Sequence, residues 1–413
     1  FPYTTLFRSI TAIDQISALP FVESDQKSKF YNIVLSRRFV FSLFILIALI
    51  TGVKQYTRGS YNNYKIFKHT FLHSLSEKPL FAEYPEEYGD SNHYGPVFAL
   101  VIAPFALLPD ALGTSFWNIA NAVVLCMGFY SLPLPLRTRS IIALLCAHEA
   151  LVAMLSFQFN VGLTGLIMLS FSYLHSGKEV KSAFAIALGT LIKLYGIVGL
   201  AFFFFSKNKL KLIVSGLIAL TILIILPAII SSPEFIVRSY TDWFISLKEK
   251  NMQNVSLTSM QDISLMGMVR RLMQDASIPN LPFLIGGLFL FFLPYARISQ
   301  YQYTAYRLML LASVLIFTVI FSSGSESPTY IIAFAGVSIW FMVQASPKSN
   351  GILFLFVFAF LLTSMSPSDL FPKIIRDTYI KPYSLKAFPC VLVWFIIIYQ
   401  MLTIDFKKIN THA

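Results

Sequence analysis

Two unbroken apolar stretches decide the fold class: SAFAIALGTLIKLYGIVGLAFFFF (Ser182 to Phe205) and LIVSGLIALTILIILPAII (Leu212 to Ile230). The hydrocarbon core of a bilayer is about 30 Å thick and takes roughly 17–25 apolar residues per helix, so each stretch is long enough to cross it. Because the apolar residues are continuous rather than alternating, they favour helices over the strands of an outer-membrane barrel. The two stretches therefore predict a helical membrane protein.

The composition extends this prediction to the whole chain. Of the 413 residues, 56% are hydrophobic and 13% are charged, whereas soluble domains average about 45–50% apolar and about 25% charged residues. These proportions argue against a water-soluble enzyme and exclude a disordered, collagen-like or disulfide-scaffold protein. The three cysteines, Cys126, Cys146 and Cys390, lie far apart in or beside apolar segments, which indicates neither a disulfide nor a metal site.

The formal net charge of +12 is concentrated in short connectors between apolar stretches. The basic residues that show this are Lys207, Lys209, Lys211, Arg137, Arg139, Arg297 and Arg307. An excess of lysine and arginine in short loops is typical of the cytoplasmic side of membrane proteins. The placement therefore favours a membrane topology signal, and a nucleic-acid partner is not expected.

We predict an all-α, polytopic transmembrane bundle over residues 39–403, with about 11–12 spans. Residues 10–38 end in two arginines and are predicted to be a cytoplasmic N-terminus, and residues 404–413 a cytoplasmic tail. Two long polar stretches, at about 55–93 and 232–281, are predicted to be external loops.

The first nine residues, FPYTTLFRS, match the in-frame translation of a common sequencing adapter. We expect this segment to be an artefact of sequence assembly.

The number of crossings between residues 94 and 212 stays open. If every apolar run crosses once, Arg137, Arg139 and Lys178 lie outside, against the charge rule. If some short runs are re-entrant, the charge rule is satisfied. Both versions place the two long polar stretches on the same, non-cytoplasmic face.

An amphipathic helix is expected inside the first long polar stretch. Tyr64, Phe67, Phe71 and Leu75 recur at helical spacing and form one apolar stripe. Such a helix lies in the membrane interface, either as a plain cover for the bundle or as part of a site.

Charged residues at membrane depth are candidates for function, because each costs about 2.5–3.5 kcal/mol to insert. Lys193, at the midpoint of the first quoted stretch, is the clearest of them. It could bind an anionic headgroup, or it could extend to the interface or pair internally. For His148 and Glu149 an internal structural pair is expected.

Acidic and basic residues gather on the predicted external face. Glu87 and Asp90 lead directly into Tyr94 and the bilayer surface, where partial desolvation raises a carboxyl pKa towards the range of a general base. Glu326 is an isolated acid on the same face. The guanidinium groups of Arg270 and Arg271 suit phosphate oxygens. Together they indicate a lipid-phosphate substrate, and the lack of P-loop, GxGxxG, HExxH and DxD motifs argues against soluble-nucleotide chemistry.

Several stretches, in order, resemble the signatures of glycosyltransferase family 87. These are the long segment Asn62 to Leu125, SFQFN (Ser156 to Asn160) for the family's GQxN element, TLIKLYG (Thr190 to Gly196) for its KxxP element, NVSLTSMQDISLMGMVRR (Asn254 to Arg271) for its second external loop, and SESPTY (Ser325 to Tyr330) for a further polar turn. The resemblance implies an integral-membrane enzyme of the C-type glycosyltransferase fold. It also implies transfer of mannose or arabinose from a polyprenyl-phosphate donor to an acceptor outside the cytoplasm, with inversion and an external-loop carboxylate as base.

Three elements of the family pattern are altered in this chain. Asn62 and Asn63 stand where many members have an aspartate, so that role does not transfer to either residue. Phe157 replaces the glycine of GQxN, and Gly196 replaces the proline of KxxP.

From these observations we assign candidate roles. Asp90 is the predicted general base, with Glu87 and Glu326 as alternatives. The donor-phosphate candidates are Lys65, Lys68, Lys193, Arg270 and Arg271. The candidates for binding the sugar or the acceptor are Asn63, His93, Tyr94, Gln158 and Asn160.

The expected partners are a polyprenyl-phosphate sugar, a glycan or glycolipid acceptor and the bilayer of the inner membrane. No cofactor is predicted, and the use of a divalent metal stays open. One alternative is a transporter or lipid flippase, which would predict inverted repeats with broken helices; no matching halves are visible. Another is an inactive family member that serves as a scaffold, suggested by Asn63.

Overall fold

The structure is a computed structural model that describes residues 31–259 and 261–408. The predicted artefact at residues 1–9, most of the predicted N-terminal segment 10–38 and the end of the predicted tail, 409–413, lie outside the described residues. Within the described ranges the secondary structure is helical, with no β-strand. The predicted all-α bundle is therefore confirmed.

The helices are α1 (Arg37–Thr57), α2 (Asn62–Leu75), α3 (Phe98–Ala106), α4 (Asp110–Ser131), α5 (Leu136–Leu145), α6 (Ala147–Leu155), α7 (Asn160–His175), α8 (Glu179–Ile192), α9 (Lys209–Ile225), α10 (Pro233–Asn254), α11 (Leu265–Met273), α12 (Leu281–Phe292), α13 (Thr304–Ile320), α14 (Tyr330–Val343), α15 (Asn350–Ala359) and α16 (Phe388–Thr403). Tighter 3₁₀ segments are Leu194–Phe205, Leu226–Ile229, Leu293–Ala296, Ile298–Gln300, Ser327–Thr329, Leu385–Ala387 and Phe406–Lys408. A short turn, Lys373–Ile375, precedes the π-helical turn Arg376–Ile380, and a second π-helical segment, Phe360–Met365, extends α15.

Three helices form the centre of the bundle. Nearly every residue of α13 and α14 is buried, as is most of α7. A helix that is apolar and buried on all sides belongs in the interior of a protein. By contrast, α9 leaves large apolar side chains such as Leu217, Ile218 and Ile225 exposed. In a membrane protein such a helix faces lipid, so α9 lies at the periphery.

Four helical segments of the described chain are long and apolar enough to cross a membrane. They are Arg37–Thr57, Asp110–Ser131, Lys209–Ile229 and Leu385–Thr403, and α5 with α6 forms a fifth candidate bent by 46°. Further apolar helices have 10–17 residues, fewer than the roughly 20 that a straight crossing takes. The protein is thus a multi-pass membrane protein by length and composition, and the count of 11–12 spans stays a prediction.

Both long polar stretches are folded. The first contains α2, at the position that the apolar stripe predicts; Tyr64, Phe67 and Phe71 are buried there, whereas Leu75 is exposed. The second contains α10 and α11, which the sequence analysis treated as loop. Ser232 caps α10 by accepting from the Phe235 amide at 3.3 Å, and the Pro233 that follows suits the first helical turn.

The stretch from Ser182 to Phe205 is broken where the sequence analysis expected one continuous span. Helix α8 ends at Ile192, Lys193 is extended (φ −146°, ψ 124°), and a 3₁₀ segment follows. After the break the chain packs back on α8. A Cβ atom on Gly196 would lie 2.2 Å from the carbonyl carbon of Gly189. A larger residue at 196, the proline of the KxxP element included, does not fit this path.

We expect Gly196→Ala to destabilise the fold by about 1–3 kcal/mol, because the added methyl forces two backbone segments apart. Gly216→Ala is the matched control: nothing lies within 4 Å of a Cβ added there, and alanine favours the helix by up to about 1 kcal/mol. Thermal unfolding in detergent measures both. Equal midpoints for the two variants would contradict the close approach of Gly196 to α8.

Candidate functional site

A cavity of about 320 Å³ lies where α2, α10 and the break at Lys193 meet the loop before α3 and the turn before α14. Its lining contains these residues from the sequence-based site prediction: Asn63, Asp90, His93, Tyr94, Gln158, Lys193 and Glu326. They come from five separate parts of the chain. The fold therefore brings together, in one cavity, polar side chains that are up to 263 positions apart, from Asn63 to Glu326 (326 − 63 = 263).

A chain of side-chain hydrogen bonds crosses the cavity wall. Gln158 Nε2 donates to Glu326 Oε2 at 2.8 Å, and Asn160 Nδ2 donates to Gln158 Oε1 at 2.6 Å. Lys193 Nζ in turn donates to Asn160 Oδ1 at 2.8 Å. The carboxylate and the ammonium group are thus linked through two neutral amides.

The strained backbone of SFQFN positions these amides. Phe157 has φ +55°, in the left-handed region that favours glycine, and its ring is buried. Trp117 Nε1 donates to the Phe157 carbonyl at 2.7 Å and holds this conformation. The glycine of the family's GQxN element therefore corresponds to a position with positive φ, and here phenylalanine adopts the same conformation.

Lys193 has no carboxylate partner within ion-pair distance in the part of the chain that the structure describes. Its Nζ lies 5.0 Å from the ring centroid of Tyr195 and 5.8 Å from that of Tyr94. Aromatic faces attract a cation without neutralising it. The cavity therefore contains a positive charge whose nearest partners are neutral.

Asp90 lies at the open rim, with 57% of its side chain exposed. Asn62 fixes the loop that carries it: the Asn62 side chain donates to the Gly89 carbonyl at 2.5 Å and accepts from the Gly89 amide at 2.9 Å. Asp90 itself has φ +74°, and Lys250 Nζ lies 3.6 Å from its Oδ1. An asparagine in the family's aspartate region thus orients the loop that supplies a carboxylate.

His93 lies between the rim and the interior. Its Nδ1 is 3.0 Å from Ser246 Oγ, and its carbonyl accepts from Trp243 Nε1 at 2.9 Å. Burial, reinforced by the positive charge of Lys250, lowers the pKa of His93 to about 4. At neutral pH the imidazole is uncharged; Ser246 occupies its Nδ1, and its Nε2, which lies 3.5 Å from Ser91 Oγ, is the ring nitrogen left for a ligand.

Three predicted residues on α2 and the loop after it are engaged elsewhere. Glu87 Oε2 lies 2.7 Å from His73 Nε2 and is not part of the cavity lining. Lys68 Nζ pairs with Asp110 at 2.6 Å, and Lys65 Nζ lies 5.0 Å from the ring centroid of Tyr61. The structure does not bring these three groups to the cavity.

Arg270 and Arg271 are buried in a structural network of their own. Two guanidinium nitrogens of Arg270 donate to the same oxygen, Asp262 Oδ2: Nε at 3.1 Å and Nη2 at 2.6 Å. Arg271 donates to the carbonyls of Asp262, Ser259 and Gln261. These bonds consume the guanidinium donors that the sequence analysis reserved for phosphate, so both arginines shape the second polar stretch rather than line the cavity.

Two further predicted groups differ in position. Asn160 lies behind the lining, where it holds Lys193 and Gln158. Glu149 does not pair with His148: its Oε1 lies 3.1 Å from Lys386 Nζ, and His148 Nδ1 lies 3.2 Å from Ser364 Oγ. Lys386 also donates to the carbonyl and hydroxyl of Ser327, next to Glu326. The buried charge at Glu149 therefore supports the turn that carries Glu326.

No group of three or more His, Cys, Asp or Glu residues suited to a metal ion occurs among the residues described.

Comparison with known proteins identifies the family. The model of glycosyltransferase family 87 matches residues 92–323, more than half of the chain. The chain belongs to glycosyltransferase family 87. No curated protein matches it. A solved structure that is similar to it is that of ArnT from Cupriavidus metallidurans bound to undecaprenyl phosphate, with a TM-score of 0.43, 13% identity, and coverage of 88% of this chain and 77% of the other.

In this family 87 glycosyltransferase, one wall of the cavity comes from a helix that the sequence analysis missed. Leu247, Lys250, Asn251 and Asn254 of α10 all line the cavity. Their positions, i, i+3, i+4 and i+7, are those of one helical face. The sequence contains this helical spacing. A largely polar helical face that lines a cavity, however, cannot be told by sequence from one that faces solvent.

We expect Arg270→Gln to destabilise this glycosyltransferase by about 3–5 kcal/mol, because it leaves Asp262 buried without its partner. Adding Asp262→Asn should recover part of the loss. Arg238→Gln is the control, since its ion pair with Asp242 is largely exposed and contributes at most about 1 kcal/mol. Thermal unfolding midpoints measure all three variants. If Arg270→Gln instead raised the KM for the donor at unchanged stability, Arg270 would be a substrate ligand.

Acidification should destabilise the protein partly through His93. Its folded pKa, about 4, lies below the unfolded value of 6.5, so the unfolded state takes up the proton first and stability falls as the pH drops through 6.5 towards 4. Between pH 7 and pH 5 this amounts to roughly 1–2 kcal/mol. His93→Asn should reduce the difference between the unfolding midpoints at the two pH values; an unchanged difference would contradict the assignment.

Proposed function

We propose that this protein transfers a sugar from a polyprenyl-phosphate donor to a hydroxyl of a glycan or glycolipid acceptor. The observation that carries the proposal is a cavity in which Lys193 lacks an acidic partner, while Asp90 and Glu326 line the same space. Membership of glycosyltransferase family 87 supports glycosyl transfer as the reaction. The apolar helices of the described chain, several of which expose large apolar side chains, support a lipid-linked donor.

Lys193 binds the donor phosphate in this proposal. An unpaired ammonium group at membrane depth is costly, and an anionic ligand compensates it. The two amides that link Lys193 to Glu326 prevent a direct ion pair that would compete with the ligand. As the anomeric bond to the phosphate breaks, negative charge grows on the leaving oxygen, where a positioned cation stabilises it most.

Asp90 acts as the general base. Its carboxylate has two contacts in the described chain, to the Ser91 amide at 2.8 Å and to Lys250 Nζ at 3.6 Å, and both are made by Oδ1. Oδ2 is therefore available for an acceptor hydroxyl. Glu326, in contrast, accepts from Gln158 and holds the amide chain in place. In the transfer, the acceptor oxygen bonds to the anomeric carbon, its proton moves to Asp90, and the phosphate leaves from the opposite face with inversion.

The remaining polar lining suits the hydroxyls of a sugar. Asn63 and Gln158 offer amide groups, the neutral His93 offers its ring nitrogen Nε2, and the ring of Tyr94 offers an apolar face. Mannose or arabinose is the proposed sugar, and the non-cytoplasmic face of the inner membrane is the proposed location of the reaction.

The scaffold alternative rested on the absence of an aspartate at position 63, and the other carboxylates of the cavity weaken that reason. Asn63 does line the cavity without a carboxylate, but Asp90 and Glu326 supply two carboxylates to the same space. The flippase alternative gives no reason for acids and amides to converge beside Lys193.

Two charge-neutral variants test the base. Asp90→Asn should lower kcat for transfer from polyprenyl-phosphate mannose or arabinose by about 10²–10⁴-fold, the usual contribution of a general base. Glu326→Gln should lower it less and raise KM. Glu86→Gln, in the same loop and exposed, should leave transfer unchanged.

Full activity of Asp90→Asn would remove Asp90 from the mechanism. Movement of a polyprenyl-phosphate lipid across proteoliposomes without any covalent product would replace the proposal with the flippase alternative.

A further inference from the structure

Lys250 on α10 brings a second positive charge to the cavity. Lys250 lines the cavity together with Lys193, although one belongs to α10 and the other to the break after α8. His93 lines the same cavity, and both ammonium groups help to lower its pKa. Two cations from separate parts of the chain therefore border this cavity near one imidazole.

The bond between Lys250 and Asp90 is loose. Its N–O distance is 3.6 Å, and 57% of the Asp90 side chain is exposed. The structural ion pairs of this protein are tighter: Lys68 with Asp110 and Arg270 with Asp262 both measure 2.6 Å. The Lys250 side chain is 19% exposed, and a partly exposed pair at this distance contributes little to stability, at most about 1 kcal/mol. Lys250 is thus a cation that can exchange its partner at low cost.

The contacts that anchor the helix around Lys250 are made by other residues. Trp243 and Ser246 anchor α10 to His93, and Ser323 donates to Asn251 on the next turn. No second acid lies within ion-pair distance of Lys250 in the described part of the chain. The anchors fix the helix, while the ammonium group keeps one weak contact.

We propose that Lys250 is a second ligand for the phosphate of the lipid donor and that it leaves Asp90 when this phosphate binds. Resting on the proposed function, the inference links the donor site to the base. In the free protein Lys250 Nζ contacts Asp90 Oδ1, and the donor phosphate competes with this carboxylate for the ammonium group. Donor binding therefore releases the Asp90 carboxylate from the one cation that lies within ion-pair distance of it in the described chain.

The charge change of the reaction fits two ammonium groups better than one. A polyprenyl-phosphate sugar is a phosphodiester with one negative charge, and the leaving monoester acquires a second as the anomeric C–O bond breaks and its electron pair stays on the phosphate. The acceptor proton passes to Asp90, so the charges balance. Lys193 and Lys250 together match the doubly charged product, which places their strongest effect late in the reaction.

Binding of a phosphate lipid without turnover tests this. Dodecyl phosphate is titrated against the full-length protein in detergent, and a parallel titration uses inorganic phosphate. Lys250→Met should weaken binding of dodecyl phosphate about tenfold or more, the loss of one charge-assisted hydrogen bond. Asp90→Asn should bind it several-fold more tightly than the wild type, because it removes the competitor for Lys250.

The controls are Lys250→Arg, which should retain most of the affinity, and Lys248→Met, an exposed lysine on the same helix, which should match the wild type. Unchanged binding in Lys250→Met, or weaker binding in Asp90→Asn, overturns the inference. A response to inorganic phosphate alone also overturns it, since it indicates a free-anion site. Because these titrations need no catalysis, their failure leaves the transfer assay, and with it the proposed function, standing.

Discussion

The positive charge of Lys193, held inside the molecule by a neutral amide, is the constraint on which the site depends. It reaches the cavity because α8 stops at Ile192 and the chain turns back on itself, a path that the contact between Gly189 and Gly196 permits. Asn160 fixes the ammonium group, Gln158 fixes Asn160, and Glu326 receives the last bond of the series. Phe157 has a strained, positive φ directly before Gln158, and this conformation sets the direction in which the series of hydrogen bonds begins.

Burial decides which charges of this protein are structural and which are available. Arg270 is almost completely buried and binds Asp262 at 2.6 Å, so its donors are consumed within the second polar stretch. Lys250 is only partly buried and meets an exposed acid at 3.6 Å. The two cations lie in the same polar stretch of sequence, yet one organises the fold and the other borders the cavity.

The sequence predicted the fold class because long apolar runs have few alternatives. It also predicted several lining residues, Asp90, Lys193 and Glu326 among them, because charges next to apolar segments are rare and conspicuous. It misassigned Arg270 because a guanidinium group suited to phosphate suits a buried carboxylate equally well, and only the fold shows that Asp262 is adjacent. It missed Lys250 because α10 mixes polar and apolar residues and was treated as loop. The break at Lys193 was hidden for a different reason: hydropathy does not record helix geometry.

The pair of Glu149 and Lys386 gives the last helix a role in the order of assembly. Lys386, just before α16, donates to Ser327 beside Glu326, while its partner Glu149 lies more than 200 positions earlier in the chain. During synthesis the turn that carries Glu326 lacks these hydrogen bonds until the segment that leads into α16 has been made. A chain that stops before this segment therefore lacks the lysine that ties the turn of Glu326 to Glu149.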